Sequence, residues 1–191
     1  CGSLVPCYDN IQQAVRLAIP PNTDIMVLPG TYNESVDLDE AAADTGGTHG
    51  DIAIISVNEA GSEAAGAIVD GGNNPAFITG DTFQDNLRID GFTVMSDQSD
   101  GVLIVAAEDV TIGDMTANGV SNGPSPDDTG DDGFDLTSLA GNVLVENALA
   151  NQSRPPGGDY ADGFELKAPA GDVTVRGSHA NNNKGSLDND G

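Results

Sequence analysis

The chain has 191 residues, enough for one domain with a sizeable core, and no stretch reads as a linker between two. Its 31 acidic residues against 6 basic ones leave a net charge of −25, which argues against nucleic acid or anionic membrane as a partner, since both are polyanions. No run of about 18 apolar residues exists that would span a membrane as a helix. So acidic a surface fits solubility in a salty environment, divalent cation binding, or both.

A chain that begins at Cys1 rather than Met reads as processed or trimmed, which predicts an extracellular or cell-surface protein. Cys1 and Cys7 then either close a small disulfide loop, or Cys1 is a lipid anchor with Gly2 and Ser3 as its tether. Ile11, Ala14, Val15 and Ala18 fall on one helical face, with Asn10 as N-cap and Pro20-Pro21 as the stop. Asp24 to Leu28 reads as a buried strand ending at the Pro29-Gly30 turn. Two glycosylation sequons, Asn33-Glu34-Ser35 and Asn151-Gln152-Ser153, are permissive only.

Beyond Gly30 the pattern predicts strands and no second helix: 52–57, 67–69, 76–79, 86–89 and 92–95 are short apolar or alternating runs broken by Gly, Asn and Asp. The segments 39–50 and 60–66 read as surface loops. From Gly101 a repeat becomes countable. Gly101, Gly133 and Gly163 open three units, separated by 32 and 30 residues, each preceded by Asp. Each unit then carries a second strand, at Val110, Val143 and Val173, and an Ala-Asn pair ending in Asn118, Asn151 and Asn181. Short strands without helices at this period predict a parallel β-solenoid whose coils stack about 4.8 Å apart.

Alternation along the strand sends Phe134, Leu136, Phe164 and Leu166 inward and Asp135, Thr137, Glu165 and Lys167 outward, placing Asp135 beside Glu165 and Thr137 beside Lys167. The asparagine column predicts a hydrogen-bonded ladder at a buried turn.

The opening, Ile11-Gln-Gln-Ala-Val followed by Asp24-Ile-Met-Val-Leu-Pro-Gly-Thr-Tyr-Asn-Glu34, with His49-Gly-Asp-Ile-Ala-Ile-Ile and Ala67-Ile-Val-Asp-Gly-Gly, resembles the right-handed parallel β-helix proteins of the pectin-lyase-like superfamily. The resemblance implies an all-β, right-handed parallel β-helix with a short N-terminal capping helix. It is one domain over 1–191: a cap over 1–23, first coils with surface loops over 24–100 and regular coils over 101–191. That superfamily spans lyases, hydrolases, epimerases, phage spikes and non-catalytic surface proteins, so it fixes no activity.

The candidate site is a carboxylate cluster: Asp131, Asp132 and Asp135, with Asp162 and Glu165 on the next coil and Asp100 on the previous one. Carboxylates at the inter-coil spacing repel, and must take up a proton, spread into solvent or share a cation, for which calcium is suited. Solvated turn residues are the plainer account, above all for Asp127-Asp128.

Asp131-Asp132-Gly133-Phe134-Asp135 is similar to the calcium-binding segment of the ninth polysaccharide lyase family. This implies calcium on Asp131, Asp132, Asp135 and Asp100, and a lysine that removes the proton beside a uronate carboxylate in a β-elimination. Lys167 is the lysine on that face, two positions beyond the family's, where Glu165 stands. A salt bridge from Lys167 to Glu165 or Asp135 is the alternative. Arg154, Tyr160 and Arg176 are candidate substrate contacts, with surface charge the plainer role for the arginines.

The functional expectation is an exported or cell-surface β-helix that binds acidic polysaccharide, acting as a calcium-dependent, pectate-lyase-like enzyme if catalytic. The alternative is a non-catalytic structural or filament-forming surface protein. Asp190-Gly191 repeats the Asp-Gly coil start, so the solenoid end is expected to offer an open strand edge on which a further coil or a second copy stacks.

Overall fold

A computed structural model describes residues 8–17, 23–39, 51–58, 60–79, 86–97, 99–118, 132–151 and 162–181. Among them a single helix, α1 (Ile11–Leu17), precedes short strands that visit three sheets in strict rotation. The first sheet stacks β1 (Thr23–Val27), β4 (Ile52–Ser56), β7 (Leu87–Asp90), β10 (Val110–Gly113), β13 (Val143–Glu146) and β16 (Val173–Arg176). The second stacks β2 (Gly30–Tyr32), β5 (Ala67–Asp70), β8 (Phe92–Met95), β11 (Thr116–Asn118), β14 (Leu149–Asn151) and β17 (His179–Asn181). The third stacks β3 (Val36–Asp37), β6 (Phe77–Ile78), β9 (Val102–Ala106), β12 (Phe134–Ser138) and β15 (Phe164–Lys167). Neighbours within each sheet are parallel and three strands apart in sequence, so each sheet hydrogen-bonds one coil to the next. This is an all-β parallel β-helix solenoid.

Strand alternation builds the core. Val36, Phe77, Val102, Phe134 and Phe164 are successive register partners in the third sheet, and the first four are fully buried. The rings of Phe134 and Phe164 stack with centroids 5.2 Å apart, while Phe77 meets Phe92 of the second sheet edge-on at 5.3 Å. Full burial of the Phe77, Phe92 and Phe134 rings contributes about 1.5–3 kcal/mol each.

The corner from first to second sheet is so tight that one residue must turn left-handed. Gly91 (φ 82°), Asp114 (φ 47°), Asn147 (φ 52°) and Gly177 (φ 63°) hold that place on four coils, all residue types that tolerate it.

The helix closes the first coil, as its apolar face predicts. Ile11 and Val15 are buried, and Asn10 Oδ1 accepts the Gln13 N–H at 2.7 Å as the N-cap. Glu34 accepts the N–H groups of Ile11 and Gln12 at 2.8 and 2.9 Å. The Gln12 amide then mimics a neighbouring strand for β3, accepting the Asp37 N–H at 2.6 Å and donating to the Asp37 carbonyl at 2.9 Å.

Two expectations shift. The asparagine column forms, with Asn151 Nδ2 donating to Asn118 Oδ1 at 3.0 Å and Asn181 Nδ2 to Asn151 Oδ1 at 3.4 Å. It lies at the ends of β11, β14 and β17 on the outer face, half-buried to exposed, and not in a buried turn, because the preceding Ala117 and Ala150 take the inward positions. The 60–66 loop also carries an antiparallel bridge between Val57 and Glu63.

Candidate functional site

The carboxylates singled out in the sequence divide into two sets with different work. Asp100, Asp132 and Asp162 precede the third-sheet strands β9, β12 and β15, where the chain turns the corner out of the second sheet. Asp132 N–H donates to Asp100 Oδ1 at 2.6 Å, and Asp162 N–H donates to Asp132 Oδ1 at 2.6 Å. The Asp132 carbonyl accepts the Gly101 N–H at 2.9 Å, and the Asp162 carbonyl accepts the Gly133 N–H at 3.0 Å. One oxygen of Asp100 and one of Asp132 thus satisfy a backbone N–H of the following coil, where the sheet ladder has not yet begun.

Asp132 is only 6% exposed. Burial, opposed by the Asp162 N–H and reinforced by the charges of Asp100, Glu165 and Asp162, pushes its carboxyl up to about 8.

The second set faces outward. Register places Asp135 beside Leu103 on the coil above and Glu165 on the coil below, and Thr137 between Val105 and Lys167, the neighbours predicted by alternation. Lys167 Nζ binds Glu165 Oε1 at 2.5 Å on its own strand, the salt bridge weighed as the plainer alternative. The Glu165 hydrogen bond, with the charges of Asp135, Glu165 and Asp132, raises the Lys167 pKa. A general-base lysine needs the opposite shift. Burial, then the Glu165 charge, raises the Asp135 pKa, partly offset by Lys167.

Among the described residues, no group of three or more His, Cys, Asp or Glu side chains is arranged to hold a metal ion. The expected ligand Asp131 lies outside them, as do Asp127, Asp128, Arg154, Tyr160, Cys1 and Cys7. Arg176 lies elsewhere, in β16 of the first sheet, bound to Glu146 on the coil above at 2.7 Å. It borders an open depression of about 440 Å³ lined by Asp109, Thr111, Asn142, Leu144, Asp172 and Thr174, among others. The structure therefore gathers Asp100, Asp132, Asp135, Asp162, Glu165 and Lys167 along the third sheet, and places Arg176 on another face.

Two arrangements escaped the sequence reading. One is a ladder at the corner into the first sheet, where Asp51, Asn86, Asp109, Asn142 and Asp172 each precede a strand of that sheet. Asn86 Nδ2 donates to Asp51 Oδ1 at 2.8 Å, Asp109 N–H to Asn86 Oδ1 at 3.1 Å, and Asp172 N–H to Asn142 Oδ1 at 2.9 Å. Asn142 binds Asp109 Oδ1 through its backbone N–H at 2.7 Å and its side-chain amide at 3.1 Å. The signal was an Asx immediately before each apolar strand.

The other is an outer-face cluster on β7, where Arg88 binds Asp90 at 2.9 Å and Glu63 at 3.2 Å. Gly113 leaves room beside it: a Cβ there would meet the Asp90 carboxylate and oblige that side chain to shift.

No helix among the described residues is long and apolar enough to cross a membrane. No protein-family model, curated protein or solved structure matches the chain. The fold and its coil-to-coil ladders define the class: a parallel β-helix protein with an acidic exterior.

Proposed function

We propose that the chain is a non-catalytic, rigid β-helical module of an exported or cell-surface protein. Its acidic outer faces keep a long solenoid solvated while its polar ladders lock coil to coil. The observation that carries this reading is the Lys167–Glu165 ion pair beside Asp135. Lys167, the one lysine on this face among the described residues, is held protonated and already supplies the counter-charge that a cation would bring to these carboxylates. Asp100 and Asp132 are meanwhile engaged on backbone N–H groups.

The test is release of unsaturated uronide from polygalacturonate, with and without calcium. This reading expects no product in either case; calcium-dependent product that disappears in Lys167→Ala would overturn it.

A second reading is favoured by one relationship, the side-by-side placement of Asp135 and Glu165 in register. Like charges so placed favour a shared cation, through which an acidic polysaccharide would bind without being cleaved. Calcium-dependent retention on immobilised polygalacturonate, lost in Asp135→Asn, would select it.

A further inference from the structure

Of the two sequons, the fold leaves one asparagine free for a glycan and commits the other. Asn33 lies in the turn between β2 and β3, is exposed, and its side-chain amide makes no hydrogen bond among the described residues. Its sequon neighbours turn inward. Glu34 caps α1 through the Ile11 and Gln12 N–H groups, and Ser35 Oγ donates to the Pro75 carbonyl at 2.7 Å. The side chains of 34 and 35 thus anchor the turn while that of 33 faces water.

Asn151 has the contrary environment. Its amide nitrogen donates to Asn118 on the coil above and its oxygen accepts from Asn181 on the coil below. A sugar on that nitrogen would wedge into a column whose members sit one coil apart, about 4.8 Å. A glycosylated amide keeps one N–H and its oxygen, so what opposes a glycan there is crowding by the coils on either side.

We infer that Asn33 is an N-glycan acceptor of this chain and that Asn151, despite its sequon, is not. The donor class is a lipid-diphosphate-linked oligosaccharide. Asn33 Nδ2 forms a bond to the anomeric carbon, the bond from that carbon to the diphosphate oxygen breaks, and the lipid diphosphate leaves with the electron pair while the amide gives up one proton. The finished fold then accommodates the glycan on its exterior, beside the capping helix.

The inference rests on the exported reading, since the donor and transferase belong to secretory or cell-surface membranes. The test is expression of the full chain behind a secretion leader in a glycosylating host. Both the secreted and the retained pools are then deglycosylated by an amidase in isotope-labelled water, and peptides are mapped by mass spectrometry. The expected result is label at Asn33 and none at Asn151, with a single-glycan gel shift that Asn33→Gln abolishes. Unmodified Asn33 in both pools, or label at Asn151 in folded secreted protein, overturns the inference. The leader supplies the compartment, so this outcome is independent of where the natural protein resides; finding that protein inside its own cell would count against the exported reading alone.

Discussion

Asn142 grips Asp109 on the coil above with two donors, its backbone N–H at 2.7 Å and its side-chain amide at 3.1 Å, both on the same carboxylate oxygen. It also accepts the Asp172 N–H from the coil below. Down this corner the residues alternate Asp51, Asn86, Asp109, Asn142, Asp172, so no two carboxylates are neighbours. Like charges one coil apart would repel, and an amide between them can donate as well as accept. Replacing Asn142 by Asp places three carboxylates in succession. Asn142→Asp is expected to lower the melting temperature at pH 7 and to recover towards wild type on acidification through about pH 4, where carboxylates protonate. Asn142→Ala, which removes bonds without adding charge, should cost about 1–2 kcal/mol in denaturant melts across that range.

Asp132 has its carboxyl held at about 8 by burial and neighbouring charge, well above the unfolded carboxylate value. Between roughly pH 4 and 8 the folded state therefore holds a proton that the unfolded chain has released. Asp132 therefore makes stability fall as pH rises through this window, by at most about 1.4 kcal/mol per pH unit. Asp132→Asn keeps the oxygen that accepts the Asp162 N–H and removes the ionisation. The variant is expected to gain on wild type progressively from pH 4 to 8 in thermal melts, most at the alkaline end.

Gly141 sits where two coils approach closely at the corner into the first sheet. A Cβ there would lie 2.5 Å from Asp109 Oδ1 and 2.6 Å from the Asp109 nitrogen, and Gly171 on the next coil is equally confined by the Gly141 backbone. Because the obstacle is backbone, which cannot swing aside, Gly141→Ala should lose about 2–4 kcal/mol, read as a shifted denaturation midpoint.

The Lys167–Glu165 pair is exposed, with side chains 53% and 43% accessible. Exposed pairs contribute little, so Lys167→Ala should cost less than about 1 kcal/mol, and less still in high salt. A loss of several kcal/mol in chemical denaturation would mean that the lysine neutralises a more buried cluster than the outer column.

Much of the solenoid is legible in the sequence. Alternation placed Phe134 and Leu136 inside, and stacking of the Asp-Gly starts gave the Asp135–Glu165 and Thr137–Lys167 registers. The repeat was not countable in the first half because first-sheet strands begin 29, 35, 23, 33 and 30 residues apart, with corner segments of unequal length masking the period. The role of Asp100 and Asp132 was illegible for a different reason. An Asp before Gly looks the same whether its carboxylate reaches out to a cation or folds onto the next coil's backbone, and only the stacked neighbour decides. The alternating Asp/Asn corner was hidden likewise, since each member alone is an ordinary turn residue.

The third-sheet carboxylates serve coil adhesion and internal ion pairing. The most direct test of this is calcium titration of the whole chain, followed by melting temperature, against magnesium at matched ionic strength. The account predicts equal, non-saturating responses to the two ions, as expected for diffuse screening of a −25 charge. A saturable stabilisation by calcium alone, abolished in Asp135→Asn or Glu165→Gln, would contradict it and establish a cation site on this face.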